Sequence, residues 1–115
     1  MPGYRSFHAA ALFALLVAAL PAVATAAELP SVTLTLRDGR FEPETLEAPA
    51  RTRFKIILRN AGAGPAEFES ESLRLEKVLS AGARSFVVVQ PQPPGEYDMF
   101  DEFHPRAPRG RIVLK

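Results

Sequence analysis

Val32-Thr33-Leu34-Thr35-Leu36, followed by Asp38-Gly39, is the stretch on which the reading of this chain turns. Apolar residues fall at every second position, so they share one face, as in a half-buried β-strand. Asp-Gly then signals a turn. The same period returns downstream. Phe54, Ile56 and Leu58 alternate with Lys55, Ile57 and Arg59, and Asn60-Ala61-Gly62 ends that segment. Phe68 sits within Glu67-Phe68-Glu69-Ser70, and Leu73, Leu75 and Val78 suggest a further short strand. Residues 86–89 form an unbroken apolar run, expected of a strand covered on both faces. Residues 97–100 and 111–114 complete the series.

No eleven-residue window carries an apolar stripe of helical period. The prolines at 43, 49, 65, 91, 93, 94, 105 and 108 fall between the strands, where a missing N–H does no harm to a ladder. Six to eight short strands with regular turn signals predict an all-β domain, a small sandwich or barrel. There are no internal repeats, and Pro91-Gln92-Pro93-Pro94 reads as a rigid connection between strands.

Upstream of the strands, residues 1–27 read as a signal peptide, leaving a domain over 28–115. Arg5 marks the basic end, and residues 9–20 are apolar. That run is shorter than the ~20 residues a bilayer span requires. Pro21 interrupts it, and Ala24-Thr25-Ala26 offers a small-x-small cleavage pattern, with Ala27 as an alternative end. Cleavage would place the protein in the periplasm with no membrane span. It would also remove Arg5 and His8, leaving equal numbers of cationic and anionic side chains and a single histidine, His104.

Composition excludes several chemistries. With no cysteine among 115 residues, there is no disulfide framework, thiolate metal site, thiol nucleophile or lipoprotein anchor. Fourteen Lys+Arg against thirteen Asp+Glu give no bulk basic charge of the kind that drives nucleic-acid binding. No glycine-rich loop precedes a helix to cradle phosphate. Ser70, Ser72 and Ser85 lie in no nucleophile elbow. Tyr97 and Met99 read as core.

The anions are concentrated on two segments. Glu67, Glu69, Glu71 and Glu76 form one, and Glu96, Asp98, Asp101 and Glu102 the other. Glu67 and Glu69 share a strand face opposite Phe68. Asp101-Glu102-Phe103-His104 places two carboxylates and an imidazole within four residues. If the segments are neighbours, four carboxylates and a histidine converge. Two readings stay open: a solvated face paired with Arg74, Lys77, Arg106 and Arg109, or oxygen and imidazole ligands for Fe, Mn or Cu(II).

Several strings resemble the cupredoxins: Phe41-x-Pro43-x-x-Leu46, residues 54–60 with a Gly-Pro loop, and Pro94-Gly95-x-Tyr97. Residues 97–104 and Gly110-Arg111-Ile112-Val113 are similar to the copper loop of plastocyanin-type members. The resemblance implies a Greek-key β-sandwich. It also exposes departures. The copper cysteine position is Asp101, the methionine position falls near Arg109, and the upstream histidine falls on Ala66 or Glu67. His104 alone remains of the four ligands, so a blue-copper electron carrier is not expected.

Glu67-Phe68-Glu69-Ser70, Leu75-Glu76-Lys77 and Asp101-Glu102-Phe103-His104 resemble a narrower group, the EfeO-type cupredoxin-like domains of bacterial periplasmic iron uptake. Carried over residue by residue, that resemblance implies a copper or iron site at Glu67, Glu69, Asp101, Glu102 and His104. It implies an inner-membrane iron permease or companion periplasmic protein as partner, and a role in Fe(II) oxidation or delivery, with non-enzymatic binding favoured. The alternative is a metal-free β-sandwich interaction module that docks on a membrane partner. Alternation predicts Tyr97, Met99 and Asp101 inward, and Asp98, Phe100, Glu102, Glu67 and Glu69 outward, making the cluster open and exchangeable.

Overall fold

The computed structural model describes residues 2–4, 10–19 and 28–115. Nine strands follow one another with no helix among the described residues: β1 (Ser31–Arg37), β2 (Arg40–Glu42), β3 (Thr45–Ala48), β4 (Phe54–Asn60), β5 (Ala66–Ser70), β6 (Leu75–Leu79), β7 (Arg84–Val89), β8 (Gly95–Asp101) and β9 (Gly110–Leu114). They form a four-stranded sheet, β2-β1-β4-β7, and a five-stranded sheet, β3-β9-β8-β5-β6. β1 runs parallel to β4 and β3 parallel to β9, while the other neighbours are antiparallel. Consecutive strands cross between the sheets at β2–β3, β3–β4, β4–β5, β6–β7 and β7–β8, giving the cupredoxin-like Greek-key sandwich expected from the sequence.

The period-2 rows build the core. Leu34 and Leu36 of β1, Phe54, Ile56 and Leu58 of β4, and Val87 and Val89 of β7 are buried on one sheet. Phe68 of β5, Met99 of β8, and Ile112 and Leu114 of β9 are buried on the other. Asp38 and Gly39 both take positive φ, 49° and 87°, and close the β1–β2 hairpin with Arg37 opposite Arg40. This is the two-residue turn whose twist matches that of the flanking strands. Asn60 ends β4 as a buried tie. Its amide donates to the carbonyls of Gly64, Leu79 and Ser80, and its Oδ1 accepts from the Gly62 N–H.

Three expectations require correction. In a two-layer sandwich each sheet is packed on its inner face, so the run at 86–89 is covered on one face only, and Phe86 is 49% exposed. Leu73 lies in the turn before β6 rather than in a strand. β2 and β3, three and four residues long, raise the strand count above the predicted range. They show little alternation because each is too short to repeat it.

The part of the apolar leader that is described, residues 10–19, has neither helix nor strand, and Leu12, Phe13, Leu15, Leu16 and Val17 are exposed. Arg5, His8 and the expected cleavage sequence lie outside the described residues. No described helix is long and apolar enough to cross a membrane.

Candidate metal centre

The acidic segments meet because β5 lies between β6 and β8. Phe68 faces Asp101 and Glu69 faces Phe100 across β5–β8, while Glu67 faces Val78 and Glu69 faces Glu76 across β5–β6. Phe68 points into the core, so alternation turns Glu67 and Glu69 outward. The β5–β6 turn, residues 71–74, closes with Arg74 at φ 54° and its N–H donating to the Glu71 carbonyl.

Asp98 of β8 holds that turn from the neighbouring strand. It accepts from the N–H groups of Glu71 (3.0 Å) and Ser72 (2.9 Å) and from the hydroxyls of Ser70 and Ser72. Burial alone would raise its pKa, but the hydrogen bonds from Ser72 and Glu71 prevail and hold it below the usual value.

Carboxylate oxygens of Glu67, Glu69 and Glu76 lie within 4.8 Å of one another. Two like charges directly opposed across a strand pair, as at Glu69 and Glu76, destabilise a sheet. Among the described residues, none of the three, nor Glu102, has a lysine, arginine or histidine nitrogen within 4.0 Å. Their titration reflects this crowding. A hydrogen bond with the Glu102 carboxyl, then burial and the neighbouring charges, lift Glu69 to about 7. Burial, followed by the charges of Glu102, Glu76 and Asp101, also raises Glu67.

Asp101 is buried at the end of the inward row of β8, and its oxygens are occupied. Oδ1 accepts from the Glu67 and Phe103 N–H groups, each at 3.0 Å, and Oδ2 lies 2.9 Å from Nδ1 of His104. An ionised carboxylate is acceptor-only, so Nδ1 carries the proton and Nε2 is the ring nitrogen left free. The backbone repeats the tie: the His104 N–H donates to the Asp101 carbonyl and the Glu102 N–H to the Glu67 carbonyl. The β1–β2 turn packs closely behind the imidazole. A Cβ on Gly39 would stand 2.6 Å from His104 Cβ, so glycine is required there by space as well as by φ.

The five residues expected at the site are therefore divided. Glu67 and Glu69 stand in the carboxylate group, and Glu102 joins it through Glu69. His104 and Glu102 line one hollow of about 200 Å³ with Phe100 and Arg109. His104 and Asp101 are not members of the three-carboxylate group, and Asp101 anchors the histidine from beneath. Glu76 was missed as a site residue. Its signal was the four-residue turn, which sets Ser70 against Leu75 and hence Glu69 against Glu76. Arg109 stacks 4.4 Å over the Phe100 ring, at the border of the acidic face.

This sandwich, with its second sheet closed by a loop from β8 to β9, defines a cupredoxin-like protein. The chain belongs to the cupredoxin-like domain family, whose profile matches residues 8–114. It is 32% identical over 83 residues to an uncharacterized protein of Rickettsia prowazekii (strain Madrid E), covering 72% of this chain and 66% of that relative. Solved structures share the fold at lower identity. A purple cupredoxin from Nitrosopumilus maritimus has 18% identity and a TM-score of 0.57, covering 73% of this chain and 99% of that one. Auracyanin B has 14% identity and a TM-score of 0.64, covering 79% and 92%. The metal-binding domain of a Cu(I)-exporting P-type ATPase of Streptococcus pneumoniae, solved with Cu(I), has 10% identity and a TM-score of 0.59, covering 74% and 84%.

The residues of this chain do not fit a type 1 copper ion. There is no thiolate, and the aspartate in its place has both oxygens engaged by hydrogen bonds. Ala66 is buried and Glu67 faces outward where an upstream histidine would be needed. Arg109, near the methionine position, lies over Phe100. The outward carboxylates instead form an all-oxygen donor set, which suits harder cations.

Proposed function

We propose that this is an exported, periplasmic metal-binding protein of a bacterial iron-uptake system. Its cargo is an iron or copper(II) ion held by Glu67, Glu69 and Glu76, with Glu102 at the margin and the free Nε2 of His104 across the adjoining hollow. Asp101 orients that histidine. The reading rests above all on the three carboxylates within 4.8 Å of one another, which lack a cationic partner among the described residues. The resemblance of the three acidic strings to EfeO-type domains supports the link to iron. An open site on a sheet face suits binding and delivery to a permease or companion protein more than turnover. Residues 1–27 serve as the leader and 28–115 as the working domain.

A second reading is a metal-free module that docks through the same face. Val78, 58% exposed, and Phe103, 46% exposed, lie beside the carboxylates and favour it. Calorimetric titration with Cu(II), Fe(III) and Mn(II) separates the two. The first reading expects one site, lost in the Glu67→Gln, Glu69→Gln, Glu76→Gln triple variant. Equal heats from wild type and triple variant would remove it in favour of the second.

A further inference from the structure

The outer face of the other sheet carries the opposite charge. In β4, Lys55, Ile57 and Arg59 alternate with the buried Phe54, Ile56 and Leu58, and in β7, Arg84, Phe86 and Val88 alternate away from the buried Val87 and Val89. Cross-strand register sets Lys55 against Val88, Ile57 against Phe86 and Arg59 against Arg84. Arg37 of β1 faces Arg40 of β2 and extends the row to the far edge. Glu42 is the one anion on the strands of this sheet among the described residues, and Arg37 already pairs with it at 3.2 Å. Like-charged pairs thus stand in register on opposite outer faces, Arg59 with Arg84 and Arg37 with Arg40 on one, Glu69 with Glu76 on the other. The near-zero net charge conceals a molecule with a basic sheet and an acidic one.

On the edge strand β7 of the basic face Phe86 is half exposed, with Lys55 Nζ 4.7 Å from its ring centroid. Lys55, Ile57, Arg84, Ser85 and Phe86 line a shallow hollow of about 280 Å³. We propose that this face docks on an anionic phospholipid surface, with Phe86 entering the headgroup region and Lys55, Arg59 and Arg84 resting on phosphates. An aromatic ring ringed by cations is the composition that favours a charged membrane interface. Charge favours a lipid: the strands of this sheet carry five cations against one anion, Glu42, which Arg37 already pairs. Attraction to an anionic lipid surface grows with each cation, by roughly fivefold in affinity apiece. The docked protein turns its acidic sheet away from the membrane. This placement does not depend on whether that sheet binds metal.

The chain contains no tryptophan, so a single one can report on each face. The protein in the form its host accumulates is mixed with vesicles of phosphatidylglycerol or of phosphatidylcholine. Binding to the former is expected, falling at least tenfold between about 50 and 500 mM salt, and more than about twentyfold in the Arg59→Glu, Arg84→Glu variant. A Phe86→Trp variant should show a blue shift with phosphatidylglycerol, and a Val78→Trp variant on the acidic sheet should not. Thermal melts identify any variant that fails to fold, and the salt series on wild type then carries the test. No binding to phosphatidylglycerol, equal binding to phosphatidylcholine, a blue shift at position 78 instead of 86, or salt-sensitive self-association without vesicle binding would each overturn the proposal.

Discussion

His104 donates from Nδ1 to Oδ2 of Asp101 across 2.9 Å, and Oδ1 of the same carboxylate accepts from the Glu67 and Phe103 N–H groups. One buried side chain thus joins β5, the end of β8 and the histidine loop. The arrangement fixes the imidazole with Nε2 as its free nitrogen.

Asp101→Asn should reverse that tautomer. The amide oxygen can keep both backbone donors, but its NH₂ replaces the oxygen facing His104 and must donate to Nδ1. Nitrogen chemical shifts of the imidazole should report an Nδ1–H tautomer in wild type and Nε2–H in the variant. Asp101→Ala leaves two part-buried N–H groups without their acceptor and should destabilise the fold by about 1–3 kcal/mol in all, measured by urea denaturation. A wild-type Nε2–H tautomer would contradict the hydrogen bond as described.

Glu69 predicts how stability of the metal-free protein varies with pH. Its folded-state pKa, about 7, exceeds the ordinary carboxyl value of 4.5, so the native state binds more protons than the unfolded state between those values. The contribution is fully present below the unfolded pKa and is lost as pH rises through about 7. The protein should therefore melt at a higher temperature near pH 5 than near pH 8, other groups being equal. Glu69→Gln should flatten this window. A variant that keeps the full wild-type slope between pH 5 and 8 would place its cause elsewhere.

Asp98 bears on the β5–β6 hairpin. Asp98→Ala removes the acceptor of two turn N–H groups and two serine hydroxyls. Exposed donors recover water, so the loss should be about 1–2 kcal/mol, near the net value of one or two hydrogen bonds. Hydrogen exchange should accelerate at Glu71 and Ser72 and leave β1 and β4 unchanged. Uniform acceleration throughout would show that the effect is not local.

Most of the fold was legible because alternation over five or more residues forces one face inward. Val32 to Leu36 and Phe54 to Leu58 settle β1 and β4 in this way, and Asp38-Gly39 settles the turn from β1 to β2. The apolar run at 86–89 misled because an unbroken run of apolar residues does not say how many faces are covered, and a two-layer sandwich packs β7 on its inner face only. The outward direction of Glu67 and Glu69 followed from Phe68 alone. What the sequence could not set was distance between segments. Asp101 points inward as alternation predicts, but its oxygens are taken up by hydrogen bonds, which alternation does not show, while Glu76, seven residues beyond Glu69, arrives directly opposite it through the hairpin register.

Glu76 gives the remaining prediction, one of opposite signs. Without metal, Glu76→Gln removes a charge directly opposed to Glu69, so the variant should melt above wild type at pH 8. With metal the order should reverse. A ligand that binds only the folded state adds about 2.7 kcal/mol at a hundredfold excess over its Kd, roughly 10–20 °C of melting temperature for a domain this small. Wild type should gain that shift with Cu(II) or Fe(III) and lose it on adding a chelator. The variant, lacking one of three carboxylates, should gain markedly less. Melting curves of both proteins, with and without metal, provide the four values needed. If Glu76→Gln lowers the metal-free melting temperature, the carboxylates are not in electrostatic conflict. If both proteins shift equally with metal, the ion is held by other residues.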